Sequence, residues 1–285
     1  MVFALCGGDE RIARLASMLV EDGHGVRAWA LEDAPLAEGV RECASADECI
    51  SGAHCVVLPM PLTARRGFLN APFSKRPRCL GEVFTAVRPG SLVCAGGVTA
   101  EARELAEECG ARLADYGALE SFRAVNSLAT AEGAIGVLLR ETPEVICGRS
   151  AVIIGAGRIT RALSPRLAAL GVRVSVASRS AAGRAWAQAM GFRALDTAKL
   201  SGALGGADIV INTAPALVLT ASRLTELPAG ALVLDLASKP GGTDFDAARS
   251  FGIKALTAPG LPGKWSPDTA AKAVRDAIYA VLEDE

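Results

Sequence analysis

The run Ser150-Ala151-Val152-Ile153-Ile154 is apolar and is broken at once by Gly155-Ala156-Gly157, after which Arg158-Ile159-Thr160 opens a helical pattern. Such a run reads as a buried strand that turns through glycine into a helix, a connection that leaves little choice but a parallel α/β layer. The chain opens in the same way. Val2-Phe3-Ala4-Leu5-Cys6 meets Gly7-Gly8, and residues 10–22 then place Ile12, Leu15, Leu19 and Val20 at helical spacing before a second strand at 25–29. A length of 285 residues at about 150 per domain leaves room for two such layers.

The remaining periodicity fits that frame. In the first half, strands are expected at 54–58, 91–94 and 111–114, with a helix at 99–109. Residues 70–78 hold Pro72, Pro77 and three basic side chains and are expected to be an exposed loop. A helical pattern at 120–140, with Gly133 and Gly136 on a small-residue face, is expected to join the domains. After it come strands at 150–154, 173–177, 209–212, 232–236 and 253–255 and helices at 159–170 and 181–190. The last helix, 267–282, has Pro267 in its first turn and a stripe of Ala271, Val274, Ile278 and Leu282 that must pack on something, such as the first domain. The expected fold class is therefore α/β, with two Rossmann-like doubly wound parallel-sheet domains joined by a helix. The expected domains are 1–147, on the substrate side, and 148–285, binding a nucleotide.

Composition narrows the function. At 51% hydrophobic and 21% charged the chain is globular, and no apolar run reaches the roughly 18 residues of a membrane span. Residues 2–5 lack the charged start of an export signal, so a cytoplasmic, soluble protein is expected. The net charge of −1 conceals an asymmetry: residues 1–147 carry 14 Lys/Arg against 20 Asp/Glu, and residues 148–285 carry 16 against 11. The excess cations of the second half are scattered, which suits a phosphate-bearing ligand and argues against nucleic acid. All eight cysteines lie at or before Cys147, no two are spaced Cys-x-x-Cys, and only His24 and His54 could join them, so no metal site is expected. The thiols read as small buried hydrophobes in a reducing compartment.

The segment 150–160 has the order that dinucleotide binding needs. Gly155 permits the tight turn, Gly157 lets the backbone approach a pyrophosphate, and the amides of Ala156, Arg158 and Ile159 face its charge. Thr160 stands where the fingerprint has Gly or Ala, a position that serves helix–strand packing, so a slightly wider helix approach is expected. The second strand of the unit ends in Ala177-Ser178-Arg179-Ser180 with no acid. An acid there would bind the ribose 2′-hydroxyl of NAD and repel a 2′-phosphate; Arg179 can instead face that phosphate, with Ser178 and Ser180 adding hydroxyls. NADP is expected over NAD. The alternative is a surface arginine that only ends a strand.

Cys6-Gly7-Gly8-Asp9, the linker words Asn126-Ser127-Leu128-Ala129-Thr130-Ala131-Glu132-Gly133-Ala134-Ile135, Gly155-Ala156-Gly157-Arg158-Ile159, Asn212-Thr213-Ala214-Pro215-Ala216-Leu217, Asp235-Leu236-Ala237-Ser238-Lys239-Pro240-Gly241-Gly242 and Leu261-Pro262-Gly263-Lys264 follow in this order. Together they resemble the A-subunit family of dipicolinate synthase over essentially the whole chain. The departures are Thr160 and a divergent stretch just before Asn126. The resemblance implies a pyridine-nucleotide-binding oxidoreductase subunit that works with the second, flavoprotein-like subunit of that synthase. Its product would be pyridine-2,6-dicarboxylate, the calcium chelator of bacterial spores, made from a dihydro- or tetrahydrodipicolinate of the lysine pathway. It also implies a homo-oligomer.

Ligands of open α/β sheets lie beyond the carboxyl ends of the strands. Those ends present Asn212, Thr213 and Pro215, expected at the nicotinamide ribose, then Lys239, and then Lys264, with residues 60–63 and 96–98 in the first half. A cyclic dicarboxylate needs cations on two sides, for which Lys239, Lys264 and Arg123 are candidates; as plain solvated charges they would do nothing. Asn126, Thr130 and Glu132, taken to start the joining helix, are either caps or substrate contacts, and Glu132 is the candidate proton acceptor beside catalytic Lys239 and Lys264. The absence of any histidine after His54 excludes the two-domain 2-hydroxyacid dehydrogenases that need a late one. Shikimate- and methylenetetrahydrofolate-type words are also missing. A non-catalytic nucleotide-binding scaffold for the partner stays open beside the enzyme.

Overall fold

The computed structural model describes residues 1–238 and 240–284. By backbone contacts the chain divides into two compact units, Met1–Asn126 with Pro262–Glu285, and Ser127–Leu261. The division falls at 126 rather than at 147, inside a helix, and the last segment goes with the first unit. The first unit runs β1 (Val2–Cys6), α1 (Glu10–Glu21), β2 (Gly25–Trp29), β3 (Val40–Glu42), α2 (Ala46–Ile50), β4 (Cys55–Val57), a small ribbon of β5 (Thr63–Arg65) and β6 (Phe68–Leu69), α3 (Leu80–Ala86), β7 (Leu92–Ala95), α4 (Ala100–Glu108) and β8 (Arg112–Asp115). Then come α5 (Glu120–Glu141), which crosses the boundary, and the second unit: β9 (Ser150–Ile154), α6 (Arg158–Ala169), β10 (Arg173–Ser178), α7 (Ala181–Ala189), β11 (Arg193–Asp196), β12 (Ile209–Asn212), α8 (Ala221–Leu224), β13 (Leu232–Asp235), α9 (Phe245–Ser250) and β14 (Lys254–Thr257). The chain closes with α10 (Leu261–Trp265) and α11 (Pro267–Glu283).

Each unit holds one six-stranded, all-parallel sheet, ordered β3-β2-β1-β4-β7-β8 in the first and β11-β10-β9-β12-β13-β14 in the second. The strand order reverses between β1 and β4 and between β9 and β12, and these switch points place the two glycine turns at the carboxyl edge of each sheet. The central strands are buried almost throughout because helices cover both faces, as in β9, β12 and β13, whose polar residues stand only at their ends. The fold class is the one the alternation predicts.

The edge strands β3 and β11 are absent from the sequence reading because they are short and mostly solvent-facing, so nothing apolar repeats along them. Residues 70–78 form a connection, but not a wholly exposed one. Arg78 is buried, bonded to Glu32, held at Nε by Ser74 Oγ at 2.9 Å, and stacked 4.9 Å from the Trp29 ring. A paired guanidinium can be enclosed where a lone one could not. The cysteines also need correction. Cys6, Cys49, Cys55 and Cys94 are buried, but Cys79 and Cys147 are exposed. Among the described residues no helix is long and apolar enough to cross a membrane.

Candidate functional site

In the second unit, Ile154 leads into Gly155, whose backbone is left-handed at φ +106°; a Cβ there would fall 2.1 Å from Thr213 Oγ1. Thr160, fully buried in the first turn of α6, donates its hydroxyl to Gly155 O at 3.0 Å, and Thr213 donates to Ile154 O at 2.8 Å. The threonine in the fingerprint thus closes the turn by a hydrogen bond and does not merely widen the approach. Gly157 is the N-cap of α6 and supplies no side chain to the first-turn amides; a Cβ built on it meets nothing within 4 Å. Open space in front of uncapped helix amides is where a phosphate belongs, so the residues present fit a dinucleotide. Ala156, Arg158 and Ile159 complete this turn.

At the end of β10, Ser178 is buried while Arg179 and Ser180 are exposed. Ser180 caps α7, its Oγ accepting from Gly183 N at 3.0 Å. Arg184 donates to the carbonyls of both Ser178 and Arg179 at 3.0 Å and pairs with Asp196 at 3.4 Å. Asp196 is the acid nearest in register, opposite Ser178 on β11, and Arg184 offsets its charge. The backbone that presents Arg179 is therefore pinned.

The residues expected at the nicotinamide ribose do two different things. Pro215 is exposed in the 213–217 loop, whereas Asn212 is fully buried: Nδ2 donates to Ala214 O at 3.0 Å and to Asp235 Oδ1 at 2.9 Å, and Oδ1 accepts from Ala214 N at 3.2 Å. Asp235 in turn accepts from Ala237 N at 3.0 Å and Gly242 N at 2.9 Å. Asn212 shapes the loops after β12 and β13 and has no donor left for a sugar. Asp235 was missed by the sequence reading; an acid ending an apolar strand is the signal that points to it. Lys239 lies outside the described residues.

Asn126, Thr130 and Glu132 do not start a helix. With α5 beginning at Glu120 they are its seventh, eleventh and thirteenth residues, so neither capping nor the helix dipole accounts for them. Thr130 is buried, and Glu132 is about half exposed and ion-paired with Arg166 at 3.5 Å.

In the first unit the carboxyl edge gathers a second group, in which the Asp9–Arg11 pair and Asp115 were not singled out by the sequence reading. Asp9 caps α1, accepting from Arg11 N at 3.2 Å, and grips the Arg11 guanidinium through both oxygens at 2.9 and 2.7 Å. Arg11 also donates to Met60 O and is only 5% exposed. Burial works against its charge, but the Asp9 bonds more than offset that and its pKa is raised. Gly263 rests on this pair, since a Cβ there would lie 3.0 Å from Asp9 Oδ2 and 3.2 Å from Arg11 Nε. Lys264 is exposed on the same turn. Asp115 accepts from the amides of Gly97 and Val98 at 3.1 and 3.2 Å, and the exposed Arg123 reaches Gly117 O at 2.9 Å. His24 lies elsewhere, bonded to Tyr279 Oη at 3.1 Å, and His54 stands at the amino edge of the sheet.

Residues 2–117 match the family model for the N-terminal domain of the dipicolinate synthase A-subunit. The chain is 30% identical to the dipicolinate synthase A-subunit of Bacillus subtilis over 99% of its length and 95% of that protein's. It belongs to the A-subunit family of dipicolinate synthase. The crystal structure of the Bacillus halodurans A-subunit superposes with a TM-score of 0.87 at 30% identity, covering 99% of this chain and 97% of that one. A transhydrogenase from Sinorhizobium meliloti shares the fold alone, with a TM-score of 0.72 at 17% identity over 100% of this chain and 94% of that one.

Proposed function

We propose that this family member is the NADP-binding oxidoreductase subunit of a dipicolinate synthase, forming pyridine-2,6-dicarboxylate from a dihydro- or tetrahydrodipicolinate. It would do so in the cytoplasm, as a homo-oligomer that works with a second, flavoprotein-like subunit. The observation that carries the reading is the open glycine turn at Gly155-Ala156-Gly157 beside a strand that ends in Ser178-Arg179-Ser180 with Asp196 neutralised by Arg184. NADP, when bound, would supply the acceptor for one hydrogen with its two electrons as a dihydrodipicolinate becomes aromatic; a tetrahydrodipicolinate gives up four hydrogens and would need two such acceptors.

The protein's own residues would bind and orient. The α6 amides and Arg158 hold the pyrophosphate, and Arg179 with Ser180 holds the 2′-phosphate on a backbone already fixed by Arg184. Thr213 and Pro215 line the loop that Asn212 and Asp235 shape. Lys264 and Arg123, with Arg11 set behind Gly263, are the cations for the two substrate carboxylates, and Asn126, Thr130 and Lys239 are further substrate contacts. Glu132, ion-paired with Arg166, takes the second hydrogen as a proton. Oxidation to an aromatic ring needs little beyond this placement.

The test is the affinity of purified Arg179→Asp chain for NADP and NAD. NADP binding is expected to weaken at least about tenfold, or about 1.4 kcal/mol, with NAD affected less. An unchanged NADP affinity overturns the 2′-phosphate assignment. If NADP binds but dipicolinate formed in the presence of the partner subunit is indifferent to it, the scaffold reading replaces the enzyme.

A further inference from the structure

A cavity in the first unit lies at the opposite, amino edge of its sheet, away from that unit's own glycine turn. It has a volume of about 380 Å³ and is lined by residues that enter or precede β4, β7 and β8, with His54, Arg88 and Arg112 among them and no aspartate or glutamate. That volume is at the low end of sites that hold small molecules.

The three nitrogen-bearing side chains come from three separate turns. Val2 N donates to His54 Nδ1 at 2.9 Å; a backbone amide can only donate, so His54 is fixed as the tautomer whose Nε2 carries the proton. Arg112 donates through Nε to Gly90 O at 3.3 Å, which sets its guanidinium against the turn that also bears Arg88. Among the described residues the Arg88 side chain has no hydrogen bond or ion pair, and it is exposed. An arginine just past a helix often serves the negative end of that helix's dipole, a role for one charge per helix end. Two guanidiniums and an imidazole N–H around a single cavity with no acid in its wall exceed that need.

We infer that this cavity is an anion site, separate from the nucleotide and substrate groups, that takes a small molecule with at least two anionic oxygens, a carboxylate or phosphate compound. Arg88 and Arg112 supply the charge, the forked donors suit paired oxygens, and His54 Nε2 adds a neutral donor. Two sources share that chemistry, a phosphate ester and a dicarboxylic acid.

The test titrates the full-length chain with inorganic phosphate and, separately, with malonate, following the backbone amide resonances of Gly52, Gly90, Ser91 and Arg112. Saturable shifts at these amides are expected with at least one probe. The double variant Arg88→Gln/Arg112→Gln is expected to weaken that binding at least about tenfold, and His54→Gln to weaken it less. A preference for phosphate assigns the site to phosphate esters, and a preference for malonate to dicarboxylates. The inference falls if neither probe gives saturable shifts. It also falls if the double variant, folded by its amide spectrum, binds as the natural chain does, since such binding is surface association only.

Discussion

Asn212 ends an apolar strand at the carboxyl edge, where a polar side chain is expected to meet a ligand. It turns inward instead and gives both of its N–H donors to Ala214 O and Asp235 Oδ1. Its neighbour Asp235 is 3% exposed and depends on Asn212, Ala237 N and Gly242 N for partners. Asn212→Ala leaves a buried carboxylate oxygen short of a donor and is expected to cost about 1–3 kcal/mol in urea unfolding. Asn212→Asp sets two carboxyls against each other, so they share a proton in the fold and one has its folded pKa raised above about 3.9. A raised folded pKa gives stability that is present at low pH and lost as pH rises. The aspartate variant should therefore approach the natural chain below about pH 4 and fall away from it toward pH 7, and a constant difference across that range would refute this account. The strand end was legible in the sequence, but the direction of the side chain was not, because it depends on a partner 23 residues further along. Arg11 was hidden for a similar reason: beside Asp9 at the start of an amphipathic helix it looks like a solvated charge.

At the scale of elements, what could be read was what is buried on two sides. β1, β9, β12 and β13 announce themselves as apolar runs and α1 and α11 as stripes, whereas β3, β11 and the β5–β6 ribbon carry too few buried positions to show a period. The stripe of α11 finds its counterpart in α1: Ala271, Val274, Ala277 and Ile278 join Leu15 and Leu19 in one core cluster. Beyond that apolar seam, Tyr279 Oη donates to Asp22 Oδ2 at 2.7 Å, and Arg275 reaches the same carboxylate at 3.3 Å. Burial, and then the bond to Asp22, push the Tyr279 phenol up to about 12 from its usual value near 10. A raised folded pKa stabilises the docked helix below pH 10, and that contribution is lost as pH rises through 12. The stability difference between the natural chain and Tyr279→Phe should therefore be constant up to about pH 9 and shrink above pH 10. Equilibrium unfolding measured across that range would contradict this if the difference did not shrink.

For the whole molecule, the buried residues fall into four clusters that divide two and two. Both faces of the first sheet are closed by residues of the first unit, including 271–278 from the far end of the chain, and both faces of the second sheet by residues 131–261. The sequence reading named the first domain as a place for the last helix to pack, and the helix does return to the first unit, but the stripe alone does not require that choice. Its stripe demands a partner but does not say which, since any apolar groove would satisfy it. Cores closed separately can open separately, and a strictly two-state account need not hold for such a chain. Ile278 is fully buried and contributes only to the first unit's core. Ile278→Ala should destabilise that unit by roughly 2–5 kcal/mol through lost burial and the void left behind. In native-state hydrogen exchange, protection should fall in β1, β4 and α1 while β9, β12 and α6 keep theirs, although the substitution lies C-terminal to all of them. Equal loss of protection in both sheets would mean that the two cores unfold as one.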